Sequence, residues 1–253
     1  MSTSAKSPEL TATRAPIPGV RISTVALVGI IAAVLIPVGA AAMVLSGSLE
    51  QKHIRVGISQ AGPISKVVID DANGSVKVVG DPTLIGVSGQ ADLNWQGSNQ
   101  APLALAQSAA DGVLTLTKQC LNHDCGGADI TISVPPGIAV QAVTTNGGIK
   151  VSNVSGGVHL ETSNAGISVK DLGSGDAFLH TSNGGIDAAF TGAPKSIRAI
   201  TSNGEVNIAT DGKTWYDDDV DTSNGSRDIE NNVDRKSTNE IYVRTSNGSI
   251  NVK

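Results

Sequence analysis

A four-residue motif, read in full as Thr201-Ser202-Asn203-Gly204, constrains this chain's fold more than any other feature. Near-copies are Asp71-Ala72-Asn73-Gly74, Thr144-Thr145-Asn146-Gly147, Thr162-Ser163-Asn164-Ala165, Thr181-Ser182-Asn183-Gly184, Thr222-Ser223-Asn224-Gly225 and Thr245-Ser246-Asn247-Gly248. From Asn146 onward the motif Asn residues follow one another at steps of 18, 19, 20, 21 and 23. A period near 20 signals a repeat architecture, in which each unit buries its apolar side only against its neighbours.

The flanks of the motif repeat as well. Four and six residues before each Asn stand Ile69/Val67, Ala142/Val140, Leu160/Val158, Leu179/Ala177, Ala199/Ile197, Val220/Asp218 and Val243/Ile241. Three and five residues after it stand Val76/Val78, Ile149/Val151, Ile167/Val169, Ile186/Ala188, Val206/Ile208, Arg227/Ile229 and Ile250/Val252. Only Asp218 and Arg227 interrupt the apolar set, and the residue inside each following pair is polar every time. Alternation with a period of two on both sides predicts two half-buried strands per repeat.

Parity changes across the motif, so a corner lies there. On the entering strand the inward positions include the Thr and, by extension, the Asn; on the leaving strand they have shifted by one. Gly accepts positive φ freely and Asn tolerates it, which suits Asn-Gly to a sharp bend. Antiparallel hairpins could use such a turn. Stacked coils explain better why every corner carries the same residues, because identical Asn side chains one strand spacing apart can hydrogen-bond as a ladder. The predicted ladder is Asn73, Asn146, Asn164, Asn183, Asn203, Asn224 and Asn247, in an all-β solenoid.

Composition agrees with a thin, repeated core: 253 residues contain 29 Gly but only two Phe, two Trp and two Tyr. A net charge of -5 with no basic stripe argues against nucleic acid as a partner. Residues 1–21 are rich in Ser, Thr, Ala and Pro and read as a disordered cytoplasmic tail. Residues 22–45 hold no charge; as a helix this stretch is long enough for a bilayer core. Lys6, Arg14 and Arg21 before it favour a cytoplasmic N-terminus, with everything after the span outside the cell membrane. Ala40-Ala41-Ala42 leaves a cleaved signal peptide as the rival reading. Residues 46–52 read as a linker.

Strands are expected at 53–59, 66–71, 75–80, 84–93, 103–107, 113–117 and 129–135, with a hairpin turn at Asp111-Gly112. No motif copy falls between Asn73 and Asn146, so 53–135 reads as an irregular β cap on the rungs of 136–253. An apolar span, then a strand-rich section ending in Ile132-Ser133-Val134-Pro135-Pro136-Gly137, then rungs of the Thr-Ser-Asn-Gly type, resembles the Lia-G-like putative-adhesin family of bacterial envelope proteins, over about 53–253. The resemblance implies a β-solenoid outside the membrane and carries no catalytic residue, cofactor or metal to any position here.

The other candidate sites have plainer readings. Cys120 and Cys125 flank a short loop, and in an oxidising compartment a disulfide is the ordinary expectation; with His123 they supply only three metal ligands. Asp219, Asp221, Ser223 and Glu230 fit four positions of a calcium loop, but Asn224 stands where its Gly belongs and the repeat already explains Ser223-Asn224-Gly225. The acidic run reads as a solvated loop with a register fault at Arg227. His53, His123, His159 and His180 lack a matching nucleophile and carboxylate. The motif Ser residues could form a hydroxyl array for sugar or ice, though drifting rung lengths spoil its lattice.

The sequence therefore reads as a single-span membrane protein bearing an extracytoplasmic, non-enzymatic β-solenoid for surface adhesion or scaffolding. A regulatory module that binds an envelope-stress sensor is the alternative, and a carbohydrate-active β-helix enzyme the third. Because the chain ends at Asn251-Val252-Lys253 on a leaving strand, the C-terminal rung is expected to be open to a second copy or a partner's strand.

Overall fold

Alternating side chains produce strands here because a strand turns successive residues to opposite faces and only one face can be buried. The computed structural model describes residues 51–253 except 72, 98, 99 and 122–124. The expected tail and apolar span, and most of the linker, lie outside the described residues. The elements are β1 (Gln51–Gln60), β2 (Lys66–Asp71), β3 (Val76–Gly80), β4 (Val87–Gln96), β5 (Leu103–Ala110), β6 (Val113–Cys120) and β7 (Gly127–Val134). They continue with β8 (Ala139–Thr144), β9 (Ile149–Ser152), β10 (Val158–Glu161), β11 (Ile167–Leu172), β12 (Ala177–His180) and β13 (Ile186–Phe190). The last are β14 (Ser196–Ile200), β15 (Val206–Ala209), β16 (Asp217–Asn224), β17 (Arg227–Ile229), β18 (Glu240–Asn247) and β19 (Ile250–Val252). Among the described residues no helix is long and apolar enough to cross a membrane. Gln51 and Lys52, expected in the linker, already belong to β1.

Strands entering the motifs form one sheet, in the order β16-β18-β14-β12-β10-β8-β2-β6-β5, and strands leaving them form the other, β1-β4-β7-β3-β9-β11-β13-β15-β19-β17. Pairing through the repeats is parallel and in register, apart from a bulge in β11 between Val169 and Leu172. Val158 lies between Val140 and Ala177 on the entering sheet, and Ile167 between Ile149 and Ile186 on the leaving one. One entering and one leaving strand make a rung, and the rungs stack as a β-solenoid.

The core is the space between the sheets, filled by columns of like residues. One runs Leu116, Ile69, Ala142, Leu160, Leu179, Ala199 and Val243, each at 0 % exposure. Another runs Ile130, Val76, Ile149, Ile167, Ile186, Val206 and Ile250. Small β-branched and aliphatic side chains suffice because each rung needs to cover only the next one.

Rung order departs from chain order at both ends. The rung of β6 and β7 stacks outside that of β2 and β3, and β2 and β3 then pair directly with β8 and β9. Strands β2 and β3, and β6 and β7, are thus regular rungs, not part of an irregular cap; the cap is the antiparallel β1 and β4 on one sheet and β5 on the other. Its β5–β6 turn has Asp111 at φ 51° and Gly112 at 74°, the left-handed pair that a two-residue hairpin requires.

At the opposite end the C-terminal rung, β18 and β19, is inserted between β14/β15 and β16/β17. This corrects the expectation of an open C-terminal rung: Ile241, Val243, Ile250 and Val252 are covered on both sides and at most 1 % exposed. The open rung is 217–229. It also removes the register fault, since Arg227, Asp228 and Ile229 pair evenly with Ile250, Asn251 and Val252. Asp218 and Arg227 interrupt the apolar columns on the last rung, which no further strand among the described residues covers.

Candidate functional site

The repeated corner is built from two ladders. Thr144, Thr162, Thr181, Thr201 and Thr245 are buried, and each hydroxyl donates to a backbone carbonyl of the preceding rung: Gly74, Gly147, Ala165, Gly184 and Gly204, at 2.8 to 3.1 Å. Beside them the Asn side chains form one unbroken chain. Asn146 Nδ2 donates to Asn73 Oδ1, Asn164 to Asn146, Asn183 to Asn164, Asn203 to Asn183, Asn247 to Asn203 and Asn224 to Asn247, at 2.6 to 3.0 Å. The Asn residues are exposed, which corrects their expected inward orientation. In most rungs the entering strand ends at or just before the Thr, so its parity no longer governs the Asn.

Glycine after the Asn serves a different purpose from the one expected. Among the described residues no motif Asn or Gly has positive φ. A Cβ at Gly204 would instead collide with the Gly184 carbonyl, and one at Gly248 with that of Gly204. The corners pack backbone on backbone.

The entering sheet turns an unusual row of side chains outward. His159 pairs across to Phe178, Phe178 to Arg198, Arg198 to Tyr242, and Tyr242 to Asp219. Four strand spacings of about 4.8 Å give this row a length of roughly 19 Å along the solenoid axis. The His159 and Phe178 rings stack at 4.5 Å between centroids and 19° between planes. Arg198 and Arg244 both lie over the Tyr242 ring, at 4.0 and 4.3 Å, within cation–π range. Arg244 also donates to the Asp219 carboxylate at 2.6 Å and its backbone carbonyl at 2.8 Å. Alongside runs a second row, with Glu161 paired across to His180, His180 to Ile200 and Ile200 to Arg244; Glu161 hydrogen-bonds His159. The two His residues thus occupy adjacent rungs in different rows. Phe178, Arg198 and Tyr242 are half-buried, and each stands on a strand paired on both sides.

The outer face of the leaving sheet is plainer. It carries a shallow depression of about 220 Å³ floored by Ala189 and Ala209 and edged by Ser168, Lys170, Asp187, Asn207 and Lys253; Asn207 Nδ2 donates to Asp187 Oδ1 at 2.9 Å. On the open rung Ile229 is 41 % exposed, and just before that rung Trp215 is 57 % exposed. Beneath it the carboxylate oxygens of Asp218 and the amide of Asn231 are buried without hydrogen bonds of ordinary geometry. Burial pushes the Asp218 carboxyl up, and it pushes the buried Tyr216 hydroxyl up to about 12, with Asp211 and Asp218 adding to the effect. Cys120 and Cys125 are disulfide-bonded, with Cα atoms 5.4 Å apart; His123 lies outside the described residues. Among the described residues no group of three or more His, Cys, Asp or Glu side chains is placed to hold a metal ion.

The outward row was not recognised from sequence, yet a signal exists. His159, Phe178, Arg198, Tyr242 and Asp219 all stand five residues before a motif Asn, a position that alternation marks only as outward.

No protein-family model matches this chain, and no curated protein does. Its fold is similar to several solved bacterial structures. A putative cell adhesion protein from Clostridium sporogenes is 14 % identical, with 81 % of this chain and 99 % of that one covered and a TM-score of 0.48. A putative adhesin from Bacteroides fragilis is 13 % identical, with 81 % and 98 % covered and a TM-score of 0.39. Another, from Parabacteroides merdae, is 12 % identical, with 81 % and 96 % covered and a TM-score of 0.35.

Proposed function

We propose that this chain is an extracytoplasmic, non-enzymatic adhesion module, tethered by its apolar segment 22–45, that grips a surface glycan along the outward row of the entering sheet. The observation that carries the proposal is a single outward row on successive rungs holding two stacked groups, His159 on Phe178, and Arg198 and Arg244 on Tyr242. Aromatic side chains add contact area at little entropic cost. Guanidinium and carboxylate groups beside them can hydrogen-bond hydroxyl or acidic substituents. A straight row at strand spacing suits an extended polymer better than a small molecule, which needs a concave site.

The test is retention of the purified protein on isolated envelope polysaccharide. Replacing Phe178 and Tyr242 together by Ser should reduce retention at least tenfold while circular dichroism keeps the β signal. Retention equal to wild type in a folded variant would rule out this face. The open rung, with Ile229 exposed on it and Trp215 exposed beside it, favours a second reading, a protein partner such as an envelope sensor adding a strand there. Loss of partner capture on charging Ile229, with glycan retention intact, would distinguish it.

A further inference from the structure

At the buried corner where later rungs carry Thr, the first two carry Lys118 and Asp71, each one residue beyond the paired Thr117 and Asp70. Lys118 Nζ lies 3.3 Å from Asp71 Oδ1, and the two side chains are 1 % and 0 % exposed. The Lys118 ammonium also donates to the Gly126 carbonyl at 3.0 Å. Asp71 Oδ1 accepts the Asn73 N–H at 3.3 Å, whereas Asp71 Oδ2 is buried with no hydrogen-bond partner. An ion pair held this deep, with one carboxylate oxygen bare, is poorly compensated for its lost hydration. Burial raises the Asp71 carboxyl, outweighing the opposing pull of Lys118, and the Asp129 carboxylate raises it further.

We propose that Lys118 and Asp71 join in an intramolecular isopeptide bond that ties β6 to β2. In this low-dielectric corner one proton passes from Nζ to the carboxylate, giving a neutral amine and a neutral acid. The Nζ lone pair attacks Asp71 Cγ and forms the N–C bond. A second proton passes from nitrogen to the departing hydroxyl, the Cγ–Oδ2 bond breaks, and Oδ2 leaves as water. One amide and one water replace the ammonium and the carboxylate, with no oxidant, reductant or cofactor.

The surroundings fit the product better than the reactants. The remaining amide N–H keeps the Gly126 carbonyl as its acceptor, and the remaining oxygen, Oδ1, keeps the Asn73 N–H. The atom lost is the one with no partner. Both residues stand at the ends of strands whose pairing the fold already fixes, so folding itself brings the amine to the carboxyl. With the Cys120–Cys125 bridge two residues further on, the cap end of the stack would be held by two covalent links, which suits a protein pulled at a surface.

Peptide mass spectrometry of the full-length chain decides the matter. The chain is purified folded in detergent, reduced, denatured and digested with trypsin. The proposal predicts a branched peptide in which the Asp71 and Lys118 segments are joined and one water lighter than their sum, with no cleavage after Lys118. Asp71→Ala should abolish it, and should this variant fail to fold, the wild-type spectrum still decides. Separate Asp71 and Lys118 peptides of full mass, cleaved after Lys118, from protein that circular dichroism shows to be folded would overturn it. Water loss confined to a cyclic imide at an Asp, with Lys118 still cleaved, would overturn it equally.

Discussion

Thr181 and Asn183 divide the corner's work unequally. The Thr181 hydroxyl is buried and donates to the Ala165 carbonyl at 2.8 Å, whereas the Asn183 amide bridges its neighbours at an exposed corner. Thr181→Val keeps the shape but strands a carbonyl, and should cost about 1–3 kcal/mol; Asn183→Ala, whose partners can turn to water, should cost about 0.5–1.5. Urea melts of the two variants check the order, and a larger cost at Asn183 would assign the corner to the Asn ladder. Asp218 gives the opposite sign. Its folded carboxyl holds a proton to higher pH than the unfolded chain does, so stability falls as pH rises from the ordinary carboxylate range through the raised value, and returns as pH falls. Asp218→Asn should therefore be more stable than wild type at neutral pH by about 1 kcal/mol, with the gap closing in acid. Thermal melts at both pH values measure it, and a destabilised variant at neutral pH would show that Asp218 is paired in solution.

Strands and their inner faces were legible in the sequence because alternation is local: the pairs around Asn164 or Asn203 show which side is buried without reference to any other rung. The order of the rungs was not, because it depends on which strand lies against which, and columns of Ile, Val and Ala make one rung as good a neighbour as another. The only local trace was the polar pair Asp218 and Arg227, which reads as a fault if 217–229 is placed mid-stack and as the end of the stack once that rung is last. Likewise the absence of a motif between Asn73 and Asn146 reflects residues looping out through the cap and back through the first rung. Paired cysteines can measure the order. In adjacent parallel rungs the Cα spacing of about 5 Å suits a disulfide. Asn203→Cys with Asn247→Cys should crosslink on mild oxidation, and Asn203→Cys with Asn224→Cys should not. The reverse outcome would restore chain order to the stack.

Across the whole molecule the two ends and two faces carry different chemistry. One end is closed by antiparallel strands and anchored near the Cys120–Cys125 disulfide; the other ends in an acidic rung with apolar side chains showing. Of the faces, among the described residues, only that of the entering sheet carries stacked aromatic rings on adjacent rungs. Alternation assigned those residues outward, but that Phe178 meets His159 and that Tyr242 meets two arginines follows from stacking and could be read only once the rungs were aligned on their Asn. The central claim is that this lateral face makes the contact with the surface. Hydroxyl-radical footprinting of the protein, free and on envelope polysaccharide, measures it directly. Phe178 and Tyr242 should be protected with Trp215 unchanged; protection of Trp215 with Phe178 and Tyr242 unchanged would move the contact to the end of the stack and contradict a lateral contact.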